Sequence, residues 1–146
     1  MITRETTDID DIRAVLCNPA IYDCISSDSS PSVEEFIPPI SDDYLYVGGY
    51  VEGKIIALMV YHTFRDGTKI HIQVIPEYRD AYGIEFGRKA LLFKQKATLY
   101  AVIPDTYKNV LNYAESFGFK VIERSKSDET KNGKSFIDNV LKYISD

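Results

Sequence analysis

The segment that decides the fold is Ile70-His-Ile-Gln-Val-Ile-Pro-Glu-Tyr-Arg-Asp-Ala-Tyr-Gly-Ile-Glu-Phe-Gly-Arg-Lys-Ala-Leu-Leu92. It predicts a buried strand, then a turn at Pro-Glu-Tyr-Arg, then a loop that opens an amphipathic helix at Gly83. A strand that leads into a helix through a tight loop leaves unpaired backbone N–H groups at the positive end of the helix dipole. Such a helix start is typical of a site for a phosphate-bearing cofactor.

The composition predicts one cytoplasmic globular domain over residues 1–146. Of the 146 residues, 45% are hydrophobic and 27% are charged, which is ordinary for a globular protein. A net charge of −5 argues against a nucleic-acid-binding protein, which needs a basic surface. No apolar run reaches the roughly 20 residues of a membrane span, and the N-terminus has no signal-peptide pattern. Cys17 and Cys24 are therefore expected to be reduced core residues without a disulfide.

The order of helical and extended patterns predicts a single-domain α+β fold with a mixed sheet. The predicted order is a strand, one or two helices, three antiparallel strands, a helix, a strand, a helix and two strands. The central strands are residues 44–51, 55–64 and 69–75. A later helix begins after Pro104-Asp105 and ends at Gly118.

Two hairpins complete the predicted sheet. Asp66-Gly67, between two apolar runs, is a strong signal for a two-residue turn. Counting outward from that turn places His62 opposite His71 on one face of the sheet. The last two strands, residues 119–123 and 136–143, are expected to be joined by a polar, flexible connection over residues 126–133.

The paired histidines allow two interpretations. His71 could act as a general base, because the pKa of an ordinary imidazole lies near neutrality. Alternatively, the two rings form a hydrogen-bonded pair that lines a half-buried sheet. A metal site is not predicted, since no third ligand follows at suitable spacing.

This order and its motifs resemble the GNAT superfamily of acyl-CoA-dependent N-acyltransferases over nearly the whole chain. The resemblance is carried by Val74-Ile-Pro-Glu-Tyr-Arg79 and by Ala114-Glu-Ser-Phe-Gly-Phe119. It implies that acetyl-CoA is the cofactor, with Val74 and Ile75 pairing with the pantetheine arm. It also implies that a loop grips the pyrophosphate through its backbone amides; here that loop is Arg79, Asp80, Ala81, Tyr82, Gly83 and Ile84.

The chain departs from the family pattern at three positions. Glu85 falls where a small residue belongs, and Tyr82 adds bulk where close approach to the phosphates is needed. These two positions allow either weakened or lost cofactor binding or a working loop, because Glu85 could point away while only the backbone faces the phosphates. The family's general acid, a tyrosine four residues before the glycine of the Gly-Phe pair, is replaced by Ala114. Tyr113 is adjacent but turned about 100° around the helix, so it could serve as the acid only after a register shift.

Two functional hypotheses follow. The stretch Ala101-Val-Ile-Pro-Asp-Thr-Tyr107 and the incomplete glycine loop also resemble small GNAT-like proteins of short-tailed phages linked to head assembly. That resemblance implies a protein-binding factor for virion assembly, with phage structural proteins as partners and doubtful catalytic activity. The alternative is an active acetyl-CoA-dependent N-acetyltransferase whose acceptor is a small amine or a protein amine.

Overall fold

The computed structural model describes residues 1–94 and 97–143, and it confirms the predicted α+β fold. The described residues form seven strands and four helices in the predicted order. In chain order these are β1 (Ile2–Glu5), α1 (Ile9–Leu16), α2 (Pro19–Ile25), β2 (Tyr44–Val51), β3 (Lys54–Phe64), β4 (Gly67–Val74), α3 (Arg79–Leu91), β5 (Leu99–Pro104), α4 (Lys108–Ser116), β6 (Phe119–Lys131) and β7 (Lys134–Tyr143).

The strands form one mixed sheet in the order β1-β2-β3-β4-β5-β7-β6. Only β4 and β5 run parallel, and they pair at two positions, Thr68 with Leu99 and Lys69 with Tyr100. After these two pairs, within the described strands, no pairing joins residues 70–74 to residues 101–104. The sheet is therefore split between β4 and β5, and we call this wedge the β4–β5 opening.

Helices cover both faces of the sheet. On one face, α3 and α4 bury Phe86 and Leu111 against the strands, while α1 and α2 bury Ile12 and Ile21 on the other. Each such side chain contributes about 1.5–3 kcal/mol of burial free energy. We call these the α3/α4 face and the α1/α2 face. Tyr78 follows β4 and packs against both clusters, which places it at the wide end of the β4–β5 opening.

The hairpin between β3 and β4 turns one residue earlier than predicted. The turn residues are Arg65 and Asp66, because Phe64 pairs with Gly67. Gly67 lies within β4, where a Cβ would come within 2.3 Å of the carbonyl oxygen of Thr98. The glycine is thus required by a close strand approach, and the turn conformation falls on Arg65, which has a φ of 50°.

Helix α3 begins at Arg79, so the prediction of a helix start at Gly83 is wrong. A single 3-10 turn over Pro76–Tyr78 leads directly into the helix, with the Arg79 N–H donating to the carbonyl of Pro76. Proline at the first position of this turn has its φ already set for a helical conformation, and this brings the helix start forward by one turn.

The connection predicted as flexible is instead part of a long, regular hairpin. Strands β6 and β7 extend to Lys131 and Lys134 and are joined by the two residues Asn132 and Gly133. These two residues have φ values of 54° and 75°, the left-handed conformation that an Asn-Gly turn adopts readily. The strands therefore continue through the polar stretch.

No helix among the described residues is long and apolar enough to span a membrane.

Candidate active site

The first residues of the predicted cofactor site, Val74 to Ala81, lie at the end of β4 and the start of α3. Val74 and Ile75 are buried at the end of β4. Nε of Arg79 donates to the Val74 carbonyl oxygen at 3.0 Å, which holds the guanidinium beside the β4–β5 opening. The N–H groups of Asp80 and Ala81 belong to the first turn of α3, at the positive end of its dipole. This arrangement suits phosphate oxygens, although the exposed Asp80 carboxylate works against the attraction.

The rest of the predicted loop forms the second turn of α3. A Cβ built on Gly83 would meet no atom of the rest of the protein within 4 Å, so this backbone borders open space. Tyr82 packs against the core of the α3/α4 face, and Ile84 is exposed. The Glu85 carboxylate bonds Nζ of Lys89 at 2.9 Å, one turn further from the helix start. Neither Tyr82 nor Glu85 therefore obstructs the helix start as the sequence suggested.

The two histidines form a hydrogen-bonded pair on the α1/α2 face, in a different register from the predicted one. His62 pairs with Lys69 and His71 with Val60, so the rings meet diagonally instead of directly across the strands. Their Nε2 atoms are 2.8 Å apart, and Tyr44 stacks on His62 with ring centroids 5.3 Å apart. The conclusion that the rings share one face is confirmed, and the register that led to it is wrong.

The hydrogen bonds of the pair define its tautomers. Nδ1 of His62 lies 3.2 Å from the carbonyl oxygen of Thr63, which can only accept a hydrogen bond, so this nitrogen carries the proton. In a neutral ring Nε2 of His62 then accepts, and Nε2 of His71 donates. The lone pair of His71 is left on Nδ1, where it is available to another group.

Burial, with help from the nearby charge of Lys69, lowers the pKa of His71 to about 3. Burial likewise lowers the pKa of His62. The imidazole of His71 is therefore neutral at pH 7, but a group with this pKa is a weak proton acceptor compared with a base matched to neutral pH. Accepting a hydrogen bond at Nδ1 is the chemistry that this geometry supports.

Tyr113 lies between α3 and α4, with its hydroxyl committed to a structural bond. The hydroxyl donates to the carbonyl oxygen of Gly83 at 2.6 Å, and burial raises its pKa. Its ring packs edge-on against Phe117. To protonate a leaving group, Tyr113 would first have to break the bond to Gly83; its role as the acid stays a prediction.

Tyr107 supplies another tyrosine hydroxyl near the end of β5. It is the N-terminal capping residue of α4, and its pKa is raised by burial and by the neighbouring Cys24 and Asp23. Its backbone is not helical, so helical spacing from Ala114 does not predict where its side chain lies. Contrary to the prediction of two core cysteines, Cys24 is exposed.

The tip of the β6–β7 hairpin is bonded to the loop that follows α2. The Asp28 carboxylate accepts from the hydroxyl of Thr130 at 2.8 Å and from the N–H groups of Asn132 and Gly133 at 2.8 and 2.9 Å. These bonds, that of Gly133 above all, lower the pKa of Asp28. Nζ of Lys131 donates to carbonyl groups at the C-terminal end of α2. We call this set of bonds the hairpin clasp; it links the two halves of the sheet across the β4–β5 opening.

The sequence by itself matches no family model and no curated protein. Solved structures match its fold. A GNAT-superfamily phosphinothricin acetyltransferase from Sinorhizobium meliloti, in complex with AcCoA, is 18% identical with a TM-score of 0.77, over 97% of this chain and 86% of that one. The ribosomal-protein-alanine N-acetyltransferase of Brucella melitensis is 17% identical with a TM-score of 0.74, over 99% of this chain and 100% of that one.

A GNAT-family acetyltransferase from Streptococcus pneumoniae gives a TM-score of 0.73 at 13% identity, over 97% of both chains. Similarity at these identities, extending over nearly the whole length of each chain, establishes the architecture. The chain therefore has the fold of the GNAT acetyltransferases, with the split sheet and the helix start described above.

Proposed function

We propose that the protein transfers an acetyl group from acetyl-CoA to an amine. The observation that carries this proposal is the juxtaposition of the β4–β5 opening with the start of α3. An open sheet edge lies there beside the first turn of α3 and the guanidinium of Arg79. A long ligand with an anionic end and an amide-bearing arm would satisfy both parts of this site.

The proposed roles follow from the chemistry of each group. Acetyl-CoA supplies an activated acyl thioester. The amides of Asp80 and Ala81, with Arg79, would hold its pyrophosphate. The backbone of Val74 would pair with the pantetheine arm, beside Ile75, whose N–H donates to the carbonyl oxygen of Ile56 at 2.9 Å. The structure's fit for the cofactor rests on the open space beside Gly83, which no side chain of the protein fills.

The acceptor side of the site is assigned to the α1/α2 face. There Nδ1 of His71 offers a lone pair that can accept a hydrogen bond from an incoming amine. The Tyr107 hydroxyl, which is protonated at neutral pH like an ordinary tyrosine, is the proposed proton donor to the leaving thiolate; burial raises its pKa further. The acceptor is therefore proposed to be a small amine or a protein amine.

Calorimetry with acetyl-CoA tests the proposal. Arg79→Glu replaces an attraction to the pyrophosphate by a repulsion and should weaken binding by about a hundredfold, which corresponds to about 2.7 kcal/mol. The matched control is Arg88→Glu, the same charge change at an exposed position near the other end of α3. Absence of heat at millimolar acetyl-CoA, or equal losses in the two variants, would contradict the proposal.

A role in phage head assembly, with phage structural proteins as partners, stays a prediction from sequence resemblance. It rests on that resemblance, on the incomplete glycine loop and on the missing general acid. The argument from the loop is weakened because Tyr82 packs against the core and Glu85 pairs with Lys89. Acyl transfer is therefore the leading proposal. Copurification of the protein with capsid components, together with a failure to bind acetyl-CoA, would reverse the order of the two.

A further inference from the structure

Lys69 occupies an unusual place at the narrow end of the β4–β5 opening. It pairs with Tyr100, and this is the last residue pair that joins β4 and β5. Its side chain lies on the α1/α2 face, directly across β3 and β4 from His62 and on the same face as His71. A ligand arm that enters at the wide end and follows β4 would stop at this residue pair. Val74 lies five positions after Lys69, a distance of roughly 17 Å along the strand.

The side chain of Lys69 is half-buried and has no charged partner among the described residues. In that part of the chain, no carboxylate oxygen lies within 4.0 Å of Nζ, and Nζ makes no hydrogen bond. Nζ lies 5.1 Å from the centroid of the Phe64 ring. Burial lowers the pKa of Lys69, offset in part by the more distant Asp138 carboxylate. An ammonium in this environment gives up its proton more readily than a solvated one, and the neutral amine is the nucleophile.

We propose that Lys69 is an internal acceptor, acetylated by the protein's own bound acyl thioester. In this step the neutral Nζ attacks the thioester carbonyl carbon, the new C–N bond forms and the C–S bond breaks. The proton lost from the nitrogen passes to the departing thiolate. The products are Nζ-acetyl-Lys69 and the free thiol of coenzyme A. This inference rests on the proposed function, because it requires acetyl-CoA in the β4–β5 opening.

Acetylation would change the acceptor side of the site. The cation of Lys69 lowers the pKa values of both His62 and His71. An acetylated Lys69 is uncharged, so the histidine pKa values should rise when it forms. This provides a readout that does not depend on turnover.

The experiment is incubation of the full chain with acetyl-CoA, followed by peptide mass mapping. One acetyl group is expected on Lys69, at a rate that does not depend on protein concentration. Lys69→Arg should abolish this adduct, and Lys142→Arg is the matched control, because Lys142 lies across Tyr100 from Lys69 on the same sheet. In the chain unfolded by guanidinium, the preference for Lys69 should disappear.

A second measurement uses histidine NMR titration. The acetylated protein and Lys69→Gln should both show a raised pKa for His62 relative to the unmodified protein. If calorimetry detects acetyl-CoA binding but Lys69 stays unmodified, or if all lysines react alike, the inference is overturned and the proposed function stands. If no binding is detected and no adduct forms, both are overturned.

Discussion

Substituting Gly83 with alanine should stabilise the protein and weaken cofactor binding at the same time. Gly83 is the fifth residue of α3, and its φ is not positive, so alanine fits its backbone conformation. The added methyl would meet no atom of the rest of the protein within 4 Å. The substitution therefore removes the helix-interior penalty of glycine without introducing a clash.

The expected magnitudes follow from these two observations. Alanine is about 0.8–1.0 kcal/mol more favourable than glycine inside a helix. For a chain of this size, that corresponds to a rise in melting temperature of about 3 °C. If the open space beside Gly83 is where the cofactor lies, the methyl occupies part of it. We expect affinity for acetyl-CoA to fall by about tenfold, or about 1.4 kcal/mol.

The matched control is Gly87→Ala, the same change one turn further along the same helix. A Cβ at Gly87 would come within 2.4 Å of Cζ of Phe117 and 2.8 Å of the hydroxyl oxygen of Tyr113. Overpacking of this kind costs about 1–3 kcal/mol, and at these distances the upper part of that range applies. Gly87→Ala should therefore lower the free energy of unfolding, by about 1–2 kcal/mol net of the helix gain.

Urea denaturation of the two variants, with calorimetry on each, measures both effects. A loss of stability in Gly83→Ala would refute the claim that this position is open. A gain in stability with unchanged acetyl-CoA affinity would place the cofactor elsewhere. A stable Gly87→Ala would show that the contact between α3 and α4 is looser than described.

Three further predictions concern groups around the site. Tyr113→Phe removes the hydrogen bond to the Gly83 carbonyl and should lower the free energy of unfolding by about 0.5–1.5 kcal/mol in urea denaturation, with turnover unchanged. Lost turnover at unchanged stability would instead make Tyr113 the general acid. Asp28→Ala should speed hydrogen exchange over residues 127–133, and unchanged exchange would contradict the clasp. Because the pKa of Asp28 is lowered in the folded protein, acid should break the clasp only below about pH 4, where this carboxylate becomes protonated. Because the pKa of His71 is lower in the folded protein than in the unfolded chain, the unfolded chain takes up a proton at higher pH. The contribution of His71 to the free energy of unfolding should therefore fall by about 4 kcal/mol from pH 6.5 to 3. In urea denaturation, His71→Gln should reduce this dependence of stability on pH; an unchanged dependence would contradict the low pKa.

Much of the architecture could be predicted because its signals are local. Helix α1 is an example: the Asp8 carboxylate accepts from the N–H groups of Asp10 and Asp11, so the helix start is encoded within four residues. The turn at Asn132-Gly133 is also encoded locally, since Asn-Gly is the strongest short hairpin signal. The polarity of residues 126–131 favours a loop, but the turn chemistry decides the structure, and the strands continue to the turn.

Other features depend on contacts that no local pattern contains. The turn between β3 and β4 moved by one residue because Gly67 is pressed against Thr98, which is 31 positions along the chain. Asp28 finds its partners more than 100 residues away, in the hairpin clasp. The pKa of His71 depends on burial and on Lys69, neither of which follows from the identity of a histidine.

The sequence by itself determined the order of strands and helices and the place where β4 leads into α3. Hydrophobic periodicity, proline and glycine act over a few residues, so these features are encoded where they occur. Only the tertiary structure decided that Glu85 pairs with Lys89, that Tyr82 packs against the core, and that Lys69 has no charged partner among the described residues. These properties arise from packing between segments far apart in the chain, where distance and desolvation, more than residue type, set the chemistry.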